Sequence, residues 1–464
     1  MSLNLMERCK LIAAGIVTCA LLLIGDKVAA QSTGPAVPVV IQQQDEGSDV
    51  PQHGYPEEER DVGIDDVDAE DDLNDSFPQR DSVFPGLRVP EAWSVFKENI
   101  YDSIGLKFES SYQMLYQHAS DTAPFADFDT ALGQWWGFTS KWTLINRGKD
   151  FEGSLVATGH DRNAAGSNAV PAQFGAADLG SSWSNFEFTE WDFSVEDLYW
   201  EQWLGQDRFV MRIGNQIPTT IYNSFRFKDG RTSFTSSPFA FHESIPYPTY
   251  GLGAAFKWWP RKESELYVVG TLNDMNGDPN IQGLDWSTFG RGEYFYGIEI
   301  GKNWKRENGE FDHLHLDIFY ADERSTRSPD TLPNEAGGGF KLLGSKQWGR
   351  FVGFGSYTFN TAEGGGISVS FARHTATAGM ALLKPLGIQG EIALGGMWMQ
   401  THPNLKVGPL VLDAQDQHGL ETYWKILLTP NVWVTPGVQV IFDPAFNPAE
   451  DFIAVPHIKF RFFN

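Results

Sequence analysis

The chain is poor in cysteine, in positive charge and in long apolar runs. Its 464 residues hold two cysteines, Cys9 and Cys19, so nothing after residue 19 can form a disulfide or a thiolate metal site. Lys and Arg number 35 against 60 Asp and Glu, a formal net charge of −25. A chain this acidic repels phosphate, which excludes nucleic acid as a main partner. Only one apolar run approaches the length of a membrane helix, and it lies within residues 11–25. A helical transporter is excluded on that ground. Catalytic signatures are also missing. There is no G-x-S-x-G elbow, no H-E-x-x-H helix, no P-loop and no cysteine motif, so neither an enzyme nor a cofactor is expected.

What is present begins with residues 1–30, which read as a secretory signal. Arg8 and Lys10 precede the apolar stretch, and Val28-Ala29-Ala30 offers small residues before a cut ahead of Gln31. The alternatives are a lipoprotein cut at Cys19, disfavoured because the apolar run continues past it, and a retained anchor. Residues 31–85 lack periodicity and are rich in Pro, Gln, Asp and Glu. Between Asp45 and Asp81 stand fifteen acidic residues against Arg60 and Arg80. Such a segment cannot bury enough apolar surface to offset its ordering entropy, so a disordered acidic tail is expected. Asp65, Asp66, Asp68, Glu70, Asp71 and Asp72 could attract Ca²⁺, but no calcium loop with its Gly pivot is present, and a solvated linker is preferred.

Residues 86–464 change character. Val89, Trp93, Phe96 and Ile100 recur at helical spacing after Pro90, which predicts one short helix. From Gly105 the period becomes two. Leu106, Phe108, Tyr112, Met114 and Tyr116 alternate with Lys107, Glu109, Gln113 and Gln117. Leu314, Leu316, Ile318 and Tyr320 alternate with His313, His315 and Asp317. Ile458, Phe460 and Phe462 alternate with His457, Lys459 and Arg461.

Marking every such run predicts about sixteen strands, at approximately 105–117, 131–146, 151–160, 192–204, 208–217, 249–259, 265–273, 293–304, 312–321, 338–347, 350–359, 368–383, 388–400, 419–428, 432–441 and 454–463. Short turns alternate with long polar loops, notably 161–191, 218–248, 274–292 and 401–418. A transmembrane β-barrel has this asymmetry, together with an even strand number, a lipid-facing apolar side and a wet lumen. Trp142, Trp200, Trp258, Trp304, Trp398 and Trp424 stand near run ends, as interfacial girdles require. A large soluble barrel or sandwich is the alternative, with the aromatics as core. The run Ile458–Asn464 resembles the assembly signal of outer-membrane proteins, although Asn464 replaces the usual closing aromatic.

Several passages resemble one family. Glu421-Thr422-Tyr423-Trp424-Lys425-Ile426-Leu427-Leu428-Thr429-Pro430, followed by Val434-Thr435-Pro436-Gly437-Val438-Gln439-Val440-Ile441 and Pro444, is similar to the penultimate hairpin of OprB-type carbohydrate-selective porins. Arg212-Ile213-Gly214-Asn215-Gln216, Ile245-Pro246-Tyr247-Pro248, Gly251-Leu252-Gly253 and Trp259-Pro260 fit the same family's mid-chain segment. The resemblance implies a sixteen-stranded outer-membrane barrel that passes sugars and similar small solutes by facilitated diffusion. It implies outer-membrane lipid and the barrel-assembly machinery as partners, and it leaves homo-oligomerisation open. The rival readings are an outer-membrane enzyme on a lipase-like barrel and a closed structural or adhesive barrel.

Sugar passage needs planar donors and carboxylates for hydroxyls and aromatic faces for the ring. The loop 218–248 concentrates Tyr222, Arg226, Lys228, Asp229, Arg231, His242 and Glu243, and is the expected constriction. The candidate site is therefore Arg226, Lys228, Asp229, Arg231 and Glu243, with Arg212 and Arg350 on the wall. By register Lys107, Glu109, Lys141, Arg208, Glu421, Lys425, Gln439, Lys459 and Arg461 also face inward. His313-x-His315-x-Asp317 sets three ligand types on one strand face. They would span about 13 Å at ~3.3 Å per residue, so no metal site is expected.

Overall fold

The computed structural model describes residues 82–464 except 88, 167, 184, 186, 206–207, 224, 241–243, 262–263, 278–283, 285, 306–310, 325–334, 363–371, 403–405, 408–409 and 412–413. The signal segment, the acidic tail to Asp81, His242 and Glu243 lie outside the described residues.

Helix α1 (Glu91–Ile104) precedes the strands β1 (Leu106–His118), β2 (Thr130–Ile145) and β3 (Gly153–Ala164). Helix α2 (Pro171–Ala177) follows, then β4 (Trp191–Leu204), β5 (Phe209–Gln216) and the short helix α3 (Ser237–Ala240). The remaining strands are β6 (Gly251–Trp258), β7 (Leu266–Asp274), β8 (Tyr294–Lys305), β9 (Phe311–Ala321), β10 (Gly337–Trp348), β11 (Phe351–Asn360), β12 (Ala372–Leu383), β13 (Gly390–Thr401), β14 (Gln417–Thr429), β15 (Val432–Phe442) and β16 (Phe452–Phe463). A two-stranded ribbon of Lys406–Val407 and Leu410–Val411 sits in the loop between β13 and β14.

All sixteen pair antiparallel with their sequence neighbours, and β1 closes the ring on β16, with Met114 opposite Phe460 and Gln113 opposite Arg461. Closure is what lipid demands, since an open edge would leave backbone N–H and C=O groups without partners. Seven connections are short and eight are long, and they alternate. One end of the barrel thus carries turns such as 349–350 and 430–431, the other carries loops such as 165–190 and 217–250.

The period of two decides the faces. Ile298, Ile300, Leu314, Leu316 and Ile318 are exposed outward, while Glu299, His313, His315 and Asp317 between them are buried. Trp142, Trp258, Trp304 and Trp348 are exposed on the outer face near the short-turn end. Lys302 places its ammonium 4.7 Å from the Trp304 ring centre, and Lys346 lies 5.9 Å from that of Trp348. Each lysine lays its stem along the apolar belt and keeps its charge beside an interfacial indole.

Helix α1 lies at the short-turn end, against the outer wall. Trp93 meets the outward-facing Phe108 edge-on at 6.0 Å, and the Trp142 indole donates to Ile104 O at 2.9 Å. The helix ends at Gly105, whose φ of 79° caps it on Tyr101 O. A Cβ there would stand 2.6 Å from Thr143 O, so glycine is needed for both reasons. Val83 and Phe84 donate from backbone N–H to Leu427 O and Leu428 O at 3.0 and 2.8 Å, where the β14–β15 register is irregular.

Candidate functional site: the inward loop and the lumen wall

The segment 217–250 turns into the barrel because it is two-sided. Its apolar side is Phe225, Phe227, Phe234 and Phe239, all buried. Phe354 of β11 receives the first three at ring distances of 5.3, 5.0 and 5.7 Å, and Tyr423 of β14 meets Phe234 edge-on at 4.8 Å. Leu343, Val352, Ala393 and Met397 complete this patch on the lumen face of β10, β11 and β13. Burying each phenylalanine is worth roughly 1.5–3 kcal/mol, which offsets part of the loop's ordering entropy and leaves the rest to its polar bonds.

The polar side grips the adjoining strands β14, β15 and β16. Glu421 of β14 accepts the backbone N–H groups of Thr235 and Ser236 at 2.5 and 2.8 Å. Lys459 of β16 donates to Gly230 O at 3.1 Å and also to Ser233 O. Gln439 of β15 donates to the Ser236 hydroxyl at 2.6 Å. Asp229 is the centre of this latch: its carboxylate accepts from Arg231 at 3.0 Å and from Arg461 of β16 at 3.2 Å. Burial would push the Asp229 carboxyl up. Arg231, Arg461 and Lys425 outweigh it and hold the group well below the usual carboxylate range.

A second loop, 165–190, meets the first. Asn185 donates to Gly230 O at 3.0 Å, the Gly230 N–H donates to Glu187 at 3.2 Å, and Glu187 pairs with Arg231 at 3.2 Å. Arg231 also stacks over the Trp135 indole at 4.9 Å. Both loops are thereby fixed to the wall and to each other.

Below them, toward the short-turn end, polar lumen-facing side chains keep some exposure. Arg226 is exposed and donates to Gln347 at 3.0 Å. Lys107, Lys141, Glu391, Lys425 and Trp433 are half-buried. Lys141 pairs with Glu201 at 2.9 Å, and Lys425 lies 4.7 Å from the Trp433 ring centre. The lumen wall at this end thus presents cations, a carboxylate and an indole face beneath a loop that turns inward.

A family profile described as "Carbohydrate-selective porin, OprB family" matches residues 157–459. The chain belongs to the OprB family of carbohydrate-selective porins. The high-pH structure of Pseudomonas putida OprB aligns with a TM-score of 0.64 and 12% identity, over 80% of this chain and 97% of that one. The low-pH structure of the same protein aligns at a TM-score of 0.50 and 11% identity, over 82% and 99%. No curated protein matches the sequence significantly. Family and fold together place this OprB-family chain in the bacterial outer membrane.

The sequence candidates sort into several positions. Arg226 borders the lumen beneath the loop. Lys228, Asp229 and Arg231 are buried, and work inside the loop: Lys228 donates to Thr219 O, and Asp229 and Arg231 form the latch. Arg212 is fully buried on β5, held by Glu201 at 2.9 Å and by Thr220 O at 3.3 Å. Arg350 and Arg208 correct the register reading. Both stand exposed in short turns, where the alternation of the adjoining strand no longer applies. Arg350 donates to Leu383 O and Lys384 O, Arg208 to Gly205 O. Lys459 and Arg461 face inward as expected but are covered by the loop rather than wetted. Sequence reasoning missed Glu187 and the four phenylalanines of the loop. The Phe225-x-Phe227 spacing was the available sign that this polar loop has an apolar side.

Proposed function

We propose that this OprB-family porin passes carbohydrates by facilitated diffusion, without covalent chemistry. The reading is supported by an inward loop bonded to the wall through Asp229 and Glu421, with Arg226, Lys425, Glu391 and Trp433 on the lumen side beneath it. Guanidinium and ammonium donors and a carboxylate acceptor can replace the water around sugar hydroxyls, and an indole can cover the ring's apolar face. An apolar solute gains nothing from the charged groups.

Liposome swelling with a monosaccharide, a disaccharide and a size-matched zwitterion tests the reading. Replacing Arg226 and Lys425 together by Ala is expected to lower the sugar-to-zwitterion rate ratio roughly fivefold, equivalent to losing about 1 kcal/mol of hydroxyl recognition. A silent barrel, or an unchanged ratio, overturns it.

The path to the membrane follows from the sequence: export directed by residues 1–30, then insertion by the barrel-assembly machinery. A chain lacking residues 31–81 is expected to insert and conduct, since the bonds from Val83 and Phe84 to β14 remain. Heat-modifiable migration and single-channel current check this. Loss of insertion would show that the acidic segment is structural.

A further inference from the structure

On the lumen face of β7, β8 and β9 stand Tyr267, Glu299, His313, His315 and Asp317, all buried. Strand spacing counts against His313, His315 and Asp317 sharing one ion. Two structural facts outweigh that spacing. The His rings lean together, and β8 brings Glu299 alongside, in register with Asp317.

The geometry suits a tetrahedral ion. His313 Nε2 and His315 Nδ1 are 3.0 Å apart, and His315 Nδ1 is 3.7 Å from Glu299 Oε1. One ligand atom from each of the three residues lies within 4.8 Å of the others. Tetrahedral Zn²⁺ with bonds of about 2.0–2.1 Å has edges between ligand atoms of roughly 3.3–3.4 Å, which the two observed spacings bracket. Tyr267 Oη lies 2.6 Å from Glu299 Oε1 and 2.8 Å from His313, beside the same point.

The surroundings orient these donors. His315 Nε2 lies 3.3 Å from Asp317 Oδ2, close but out of line for a hydrogen bond. A small rotation of the ring would put the Nε2 proton on that carboxylate and leave the Nδ1 lone pair directed at His313 and Glu299, the usual arrangement of a metal-bound histidine. The second oxygen of Glu299 accepts the backbone N–H of Asn223, in the inward loop, at 2.5 Å.

We propose that Glu299, His313 and His315 bind one divalent transition-metal ion, Zn²⁺ by preference, with Tyr267 as a neighbouring oxygen donor and Asp317 as the orienting carboxylate. The nitrogen-rich set favours zinc over calcium or magnesium. The ion would tie β8 and β9 together directly beneath the start of the constriction loop. The competing arrangement is a metal-free hydrogen-bonded chain from His315 through His313 and Tyr267 to Glu299, with Lys257 and Lys341 nearby balancing Glu299 and Asp317.

Titration decides between them. The full chain, purified folded in detergent and stripped with chelator, is titrated with Co²⁺ and then Zn²⁺, both folded and during refolding from urea. The proposal expects one Co²⁺ per chain with the visible absorption of a four-coordinate site, displaced by Zn²⁺. Asp317→Asn should weaken Zn²⁺ binding by about 10–100-fold. A double change His313→Gln with His315→Gln should abolish it, while His418→Ala, at an exposed histidine, should leave it intact. No saturable binding to the wild type in either protocol, or binding that survives the double change, overturns the proposal in favour of the metal-free chain. Wild-type titration is decisive even where a variant does not fold.

Discussion

Replacing Asp229 by Ala should unfasten the constriction. Its carboxylate is shared between Arg231 and Arg461 in a buried site. Removing one partner of such a group leaves charge uncompensated, at a typical cost of about 3–5 kcal/mol. Arg231 keeps Glu187, and Arg461 loses the Asp229 carboxylate. The barrel, held by its own ladder, should still insert. The expected readout is a larger and noisier single-channel current, with the urea midpoint lowered. An unchanged current would mean that the latch does not define the passage. The pH dependence has a definite sign. The folded pKa of Asp229 is depressed, so its stabilisation is complete above the unfolded value near ~4 and is lost only as pH falls through the lower folded value. Wild-type current should therefore stay level from neutrality to about pH 4 as far as this group controls it.

The second large effect separates the two faces of β16. Phe460 is exposed to lipid, opposite Met114 of β1 across the closing seam. Arg at this position should destabilise the inserted barrel by about 2–4 kcal/mol if it sits near the midplane, less toward an interface. Urea titration of vesicle-folded protein measures this. Lys459→Gln, one position away, should insert normally. It should change the current instead, because Lys459 holds Gly230 O and Ser233 O of the inward loop. Equal insertion defects from both changes would reject the register; a silent effect of Lys459→Gln would reject its role in the loop.

The barrel was legible because lipid imposes a period of two on every strand. Runs such as Leu314–Tyr320 and Ile458–Phe462 carry that period in their own residues, so strand positions and faces follow without tertiary knowledge. The lumen was not legible in the same way. Whether Lys459 meets water or a carbonyl depends on Gly230 and Ser233, more than 220 positions away. Asp229 and Arg231 sit close enough in sequence to be seen as a pair, but their partners Arg461 and Glu187 come from another strand and another loop. Arg208 and Arg350 show the converse limit: alternation does not carry past the strand end into a turn. For His313, His315 and Asp317, backbone spacing counts against all three closing on one ion, and the cross-strand neighbour Glu299 cannot be seen from that spacing.

The seam between β1 and β16 also sets the order of assembly. Lys97 of α1 donates to Asn464 O, 367 positions later, at 2.7 Å, and Asn464 donates to the Ser110 hydroxyl at 2.9 Å. The first strand and its leading helix therefore complete their contacts only after β16 has been delivered. Until then β1 is an edge with half its ladder unmade, and so is each newly arrived strand. Such distant pairing is slow, because loop closure must be met before the contacts reward it. Closure of the barrel and the last contact of α1 against the outer wall are therefore one event.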